Sequence, residues 1–289
     1  MSRFYIIFIF LCVTVSGVRS GTLQACNPDT LDSCRIFQKA DDLFRQQNYE
    51  LAAAEYERCF YLSPSKEISY KALQQKAMCY KQTGNYEKAA FNLERIADAY
   101  EDYYQIALCY YLSNNFSKSL GTIDKCHLFF DSLQEDMLLL KILTLNELNK
   151  YEDSQKASEE LANRLKNSTD KDIAPQINKL YSDLPKLKSE QTARILSFVP
   201  GLAHIYANEW GKGITAFALN AAALGFGVWQ VLDKCYLTAY LGGAGLLSVT
   251  YPGAMKNGIY TVRKYNYNKT SQFNNNFKQE IISILQHGK

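Results

Sequence analysis

Residues able to do chemistry are few in this 289-residue sequence, and their spacing assembles no catalytic group. The three histidines, His127, His204 and His287, fall in unrelated segments, and only His204 stands beside an apolar run. No GxSxG, HExxH, Walker or dinucleotide-binding glycine pattern occurs, so the usual scaffolds for acyl, metal-assisted and nucleotide chemistry are missing. Gly242, Gly243 and Gly245 lie inside an apolar stretch, where glycine serves close helix packing rather than phosphate binding. Glu209 and Asp233 border apolar stretches and read as solvated carboxylates. No Cys/His pair has the spacing of metal ligands. The expectation is a protein that is not an enzyme and takes no cofactor and no metal.

The eight cysteines point to packing more than to reactivity. Cys26 and Cys34 flank a short Asn-Pro-Asp turn, where a disulfide is expected in an oxidising compartment. Cys59, Cys79, Cys109 and Cys126 fall at helix-interior positions that call for small residues, so they read as core. The two ends of the chain differ in charge. Residues 21–190 carry 21 Lys/Arg against 26 Asp/Glu, whereas residues 191–289 carry 9 against 3. The basic part lies beside apolar runs, which suits anionic lipid headgroups. No Lys/Arg stripe with interleaved aromatics is present, and nucleic-acid binding is not expected.

The elements that must position these residues begin with residues 1–20, which read as a signal peptide. Arg3 supplies a positive start, Phe4 to Val15 is almost wholly apolar, and Val18-Arg19-Ser20 offers a cleavage site. An uncleaved N-terminal anchor is the alternative; either way the following chain is exported. Residues 21–34 form an N-terminal extension. Four segments then share one pattern: an apolar helix, a polar turn ending in an aromatic, and a second helix. The turns are Gln47-Asn48-Tyr49, Gly84-Asn85-Tyr86, Asn114-Asn115-Phe116 and Asn149-Lys150-Tyr151, with aromatics 37, 30 and 35 residues apart. Two helices of about 14 residues need such a turn, and the aromatic plugs the space between them.

This pattern resembles the tetratricopeptide-repeat (TPR) family. Leu73, Ala77, Tyr80 and Ala89 in the second unit stand where its helices need large and small residues. The third unit repeats this with Tyr103, Ala107, Tyr110, Ser119 and Ile123, and the first with Ala40, Ala52 and Tyr56. The fourth is degenerate, because Ser154 and Ser158 replace apolar residues. The resemblance covers 35–166 and implies a helical solenoid. It also implies an inner face holding a protein or peptide partner, with Lys71, Gln74, Lys81, Tyr104, Tyr111 and Asn146 in the groove. The alternative is a structural spacer. Residues 167–192 read as a capping helix and a linker near Pro185.

From residue 193 the character changes. Ile214 to Leu232 and Tyr236 to Met255 are uncharged and separated by Asp233-Lys234-Cys235, so residues 193–257 read as a membrane hairpin with an entrance segment. A buried soluble hairpin is the alternative. Pro200, Gly201, Tyr206, Trp210, Gly211, Lys212 and Gly213 precede the first span. They resemble the entrance motif of the bacterial two-transmembrane-helix domain family, although Ala203-His204 departs from its pattern. The resemblance implies architecture and no activity. Residues 258–289 read as a basic, aromatic tail with Tyr265-Asn266, ending in an amphipathic helix through Phe273, Phe277, Ile281 and Leu285 that lies either on the membrane or on the repeats.

The expected fold class is therefore all-α: a TPR helical solenoid followed by a transmembrane helical hairpin. The expected function is a scaffold tethered to the inner membrane with its repeats in the periplasm, binding a protein or peptide, with envelope assembly as a setting. The alternative is a homo-oligomeric channel or membrane-remodelling unit built from the glycine-rich hairpin. The positive-inside rule would put the basic tail in the cytoplasm, whereas an exported repeat domain with two spans puts it outside.

Overall fold

The computed structural model describes residues 31–169 and 174–288 of the chain, and these are helical with no strand among them. The expected signal peptide and most of the N-terminal extension lie outside the described residues. The chain divides into two compact units, residues 1–140 and 141–289.

The first unit holds α1 (Leu31–Arg45), α2 (Tyr49–Leu62), α3 (Lys66–Gln82), α4 (Tyr86–Glu94), α5 (Tyr100–Leu112), α6 (Phe116–Phe129) and the start of α7 (Glu135–Glu147). Successive helices pack on one another. Their interfaces are lined by alanine: Ala40, Ala52, Ala72, Ala77, Ala89, Ala90 and Ala107 are wholly buried. Small side chains let ridges settle into grooves at short interaxial distance. Larger residues fill the remaining space, among them Tyr56, Leu73, Ile106 and Ile123. Cys59, Cys79, Cys109 and Cys126 are free and buried, as the helix-interior positions implied. Burial pushes the Cys59 and Cys126 thiols up to about 11 and Cys79 up to about 12, which leaves them unreactive near neutrality. Cys34 is disulfide-bonded, while Cys26 lies outside the described residues.

One turn design recurs six times among the described residues. A residue in the left-handed region ends a helix: Gln47, Gly84, Asn114, Asn149, Asn208 and Lys234, with φ between 59° and 74°. The N–H of the next residue then reaches back five positions to a carbonyl, as in Asn85 N–H to Tyr80 O at 2.8 Å and Cys235 N–H to Gln230 O at 2.9 Å. This is the Schellman arrangement, which satisfies carbonyls that a helix end would leave bare. An aromatic always follows and opens the next helix: Tyr49, Tyr86, Phe116, Tyr151, Trp210 and Tyr236. At two of the turns an aromatic in the last turn of the first helix meets this ring edge-on. Phe44 and Tyr49 lie 5.2 Å apart, and Tyr111 and Phe116 lie 5.4 Å apart. Four of these turns were visible in the sequence; those at Asn208 and Lys234 were not read as members of the series.

The second unit begins inside α7 and contains α8 (Tyr151–Thr169), α9 (Ala174–Leu180), α10 (Glu190–Leu196), α11 (Leu202–Tyr206) and α12 (Trp210–Leu232). There follow α13 (Tyr236–Thr238), a π-helical stretch (Ala239–Ala244) and α14 (Gly245–Gly288). The segment 236–255 is not a helix of its own, because α14 runs 44 residues through Pro252 and past residue 258 without a break. At 1.5 Å per residue it is about 66 Å long. The boundary between the units falls inside α7, so the end of α7 and all of α8 lie in the second unit. The cause is the far end of α14, which docks on them. Phe277 and Ile281 are buried, with Phe277 packed on Tyr181 at 5.0 Å and Phe273 edge-on to Tyr151 at 5.2 Å. Asn274 donates to the Asn146 carbonyl and to Glu147, and Lys278 pairs with Glu147. The end of α14 thus covers α7, α8 and the segment at Tyr181 and does not present its apolar stripe to solvent.

The degenerate fourth unit has a physical reason within this packing. Ser154 donates to the Ile142 carbonyl at 3.1 Å, just as Ser119 donates to the Ala107 carbonyl at 2.9 Å in the preceding pair. Ser154 and Ser158 both bond the hydroxyl of Tyr181, at 2.8 and 2.9 Å. Apolar residues there would take both serine partners from that buried phenol.

Candidate interaction site

The groove residues expected on the first helices of the repeats separate into two groups. Lys71, Gln74 and Lys81 stand on α3 at the surface or half-buried. They belong to a polar row that ties α3 to α5. Gln74 donates to the Tyr70 hydroxyl at 2.9 Å, and Tyr70 donates to Asp102 at 2.6 Å. Lys81 donates to Gln105 at 2.6 Å, and Gln105 donates to Glu101 at 2.8 Å. Lys71 pairs with Glu67 one turn earlier at 2.7 Å. Asp102 is buried and also accepts the backbone N–H groups of Asp98 and Ala99, so it caps α5 while anchoring Tyr70. Burial and then the Asp102 bond both push the Tyr70 phenol up, so it stays a donor.

The second group does not line an open surface. Tyr104 is half-buried on α5, and burial, with Asp136 and Glu101 adding, pushes its phenol up to about 12. Tyr111 is buried against Phe116, and Asn146 is buried in the second unit beneath Asn274. Tyr111 and Asn146 are therefore both buried. Helical periodicity puts both on the inner side of their helices but says nothing about what covers that side. For Asn146 the cover comes from 128 residues away. Sequence reasoning also passed over Tyr70, Asp102, Gln105 and Glu101. Asp102 carried a signal, since an acidic residue three positions into a helix is a usual cap partner.

The entrance residues come together around α11. Gly201, at φ 96°, lies against Gly213, and a Cβ on Gly201 would stand 2.2 Å from the Gly213 carbonyl oxygen. Only glycine fits both the backbone conformation and the contact. Trp210 is 62% exposed, Gly211 is exposed, and Lys212 pairs with Glu209 at 3.3 Å. Tyr206 and Pro200 are half-buried. His204 is buried beside Gly258 of α14. His127 is exposed, and the His287 side chain lies outside the described residues. No group of three or more metal-ligating side chains occurs among the described residues.

Above α11, the linker Lys188-Ser189-Glu190 is clamped onto α14. Asn266 and the Lys188 backbone exchange two hydrogen bonds at 2.9 and 2.8 Å. The Lys188 ammonium lies over the rings of Tyr265 at 4.4 Å and Tyr206 at 5.2 Å and donates to the Tyr206 carbonyl. Arg263 holds Glu190 at 2.9 Å. These contacts give the Tyr265-Asn266 tail residues a role the sequence could not reveal, because their partner is 78 positions away.

The α12 helix is left bare by these contacts. It is the one helix among the described residues long and apolar enough to cross a membrane, and its apolar window is 11% buried. Ile214, Phe217, Leu219, Leu224, Val228 and Trp229 are all exposed. Its inner side meets the π-helical stretch and α14 through Gly227 on Gly243, and through Thr250 donating to Asn220 at 2.9 Å. No protein family, curated protein or solved structure matches this chain.

Proposed function

We propose that the chain is a tethered scaffold of TPR type: a stack of helical pairs held to a membrane by the α12–α14 hairpin, binding a protein or peptide partner through the α3–α5 row. The observation that carries this reading is the contrast within one chain. Helical pairs with buried alanine seams and satisfied polar ends stand beside a 23-residue helix whose apolar surface faces outward. An isolated helix of that kind buries its surface in hydrocarbon. The row from Lys71 to Gln105 offers donors and acceptors to an extended peptide. It lacks a reactive pair, which favours binding over catalysis. The apolar N-terminus directs the repeats out of the cytoplasm, to the periplasmic side of the inner membrane, in a role such as envelope assembly.

The test uses the full chain in native membranes. A photo-crosslinking residue at Gln74 should capture one discrete partner after alkaline extraction has left the chain in the pellet, whereas one at Phe91, exposed on α4, should not. Equal capture from both positions, or none from either, would reject the groove. Release of the chain by alkali would reject the tether. An oligomeric channel draws less support, because Gly242 and Gly243, the glycines that suggested it, pack on Phe226 and Gly227 of the same chain.

A further inference from the structure

The entrance segment folds into a V whose apex is Phe198-Val199-Pro200-Gly201, between α10 and α11. We infer that this apex is inserted in the hydrocarbon of one leaflet only, the leaflet facing α8 and α9, and contacts lipid directly through Phe198 and Val199. The inference rests on reading α12 as a membrane span and adds to it a second, half-deep element.

Its depth follows from packing. The Gly201 backbone touches Gly213, and a Cβ there would also lie 3.3 Å from the Phe217 Cβ. Those residues are three and seven positions past Trp210, so the apex lies about 5–10 Å beyond the aromatic that opens the helix. Glu209 and Lys212 are the last charges before residues 213–232, which carry none. The apex is thus level with uncharged helix.

Its surface is apolar on the free side and small on the packed side. Ile195 is 70% exposed and Phe198 65%, whereas Ala193, Ser197 and Ala203 are buried. A Cβ on Gly258 of α14 would come within 2.8 Å of Ala203 and 3.3 Å of Ser197, so the V is held by close backbone contact. Its outward residues continue the exposed apolar surface of α12.

Its backbone is the independent observation. A loop in lipid must satisfy its own polar groups. The N–H groups of Ser197, Phe198 and Val199 are donated to Ala193, Ile195 and Leu196, and Leu202 donates to Val199. Pro200 has no N–H to satisfy. The Phe198 carbonyl accepts the Tyr251 hydroxyl at 2.8 Å from the neighbouring helix. Among the described residues, only α12 and its partner helix continue beyond the apex. The chain therefore occupies more area in the near leaflet than in the far one, and suits a surface with loosely packed headgroups.

The experiment uses the full-length protein, in a C235S background, reconstituted in phosphatidylcholine/phosphatidylglycerol vesicles. An environment-sensitive fluorophore is placed at Phe198→Cys, at Val199→Cys as a second apex position, and at Leu224→Cys in the middle of α12. The apex probes should emit to the blue and be quenched several-fold more by lipids spin-labelled near the headgroup than by those labelled near the chain end. The Leu224 probe should show the reverse. Apex probes quenched by aqueous iodide, with the Leu224 probe in lipid, overturn the inference and leave the tether standing. All three in water overturn both. Apex probes shielded from iodide and from both lipids also overturn it, because protein then covers the site.

Discussion

Replacing Phe277 with alanine should detach the end of α14 from the helices it covers. The side chain is 3% exposed and packs on Tyr181 with ring centroids 5.0 Å apart, so nearly all of its area is lost to water on truncation. Burial of that kind is worth about 3–5 kcal/mol in a Phe→Ala change. What remains at this end is Phe273 on Tyr151, Ile281, the Asn274 bonds to Asn146 and Glu147, and the Lys278–Glu147 pair. Each such hydrogen bond contributes roughly 1 kcal/mol net, and the pair is partly solvated. The loss therefore rivals the rest of the contact, and a 3 kcal/mol loss raises the opened population by more than about 100-fold. Hydrogen exchange on the full chain in nanodiscs reads this directly. Peptides covering 270–286 and 174–181 should exchange faster together, while peptides of α3 and α5 keep their rates. Unchanged exchange at 270–286 would refute the docking, and a chain-wide rise would show that the end of α14 is not a separable contact.

Three further outcomes follow from particular contacts. Burial alone would raise the Glu57 carboxyl, but Arg95 and Lys76 outweigh it and hold the carboxyl below its ordinary value of 4.5. A depressed pKa gives stability that is present above that value and lost as pH falls through the folded-state value. Wild type should thus melt higher than Glu57→Gln at neutral pH and lose that margin below about pH 4.5, in paired thermal melts. The Asn220–Thr250 bond should show a coupling of about 0.6–1.7 kcal/mol in a double-alanine cycle read by detergent denaturation, and zero coupling would remove it as a register pin. Gly201→Ala must relieve a backbone contact at a left-handed φ and should cost at least roughly 1–3 kcal/mol from the backbone alone, seen as protease cleavage near residue 200.

Much of the helical layout was legible because it rests on local rules. The aromatics after Gln47-Asn48, Gly84-Asn85 and Asn114-Asn115 fixed where helices turn, and the alanines fixed where they touch. The turn at Asp233-Lys234-Cys235 was legible as the bend of a hairpin but not as a member of this series, because lysine is an unusual left-handed residue. The helix continues through Pro252, since a proline removes one backbone bond and neighbours can compensate for it. Gly258 looked like tail and is instead a contact, chosen for what approaches it. Periodicity predicts an inner-face position for Lys71, Gln74, Lys81, Tyr111 and Asn146, whereas the burial of Asn146 under Asn274 depends on tertiary packing that spacing does not encode.

Cys235 offers the most direct measurement of the tethered arrangement. It is exposed at the turn between α12 and α13, while the other free cysteines among the described residues are buried. A membrane-impermeant maleimide should label Cys235 in inside-out vesicles and not in right-side-out ones, with protease added to the right-side-out vesicles removing the repeats. Labelling of Cys235 from the same side on which the repeats are digested would contradict the account.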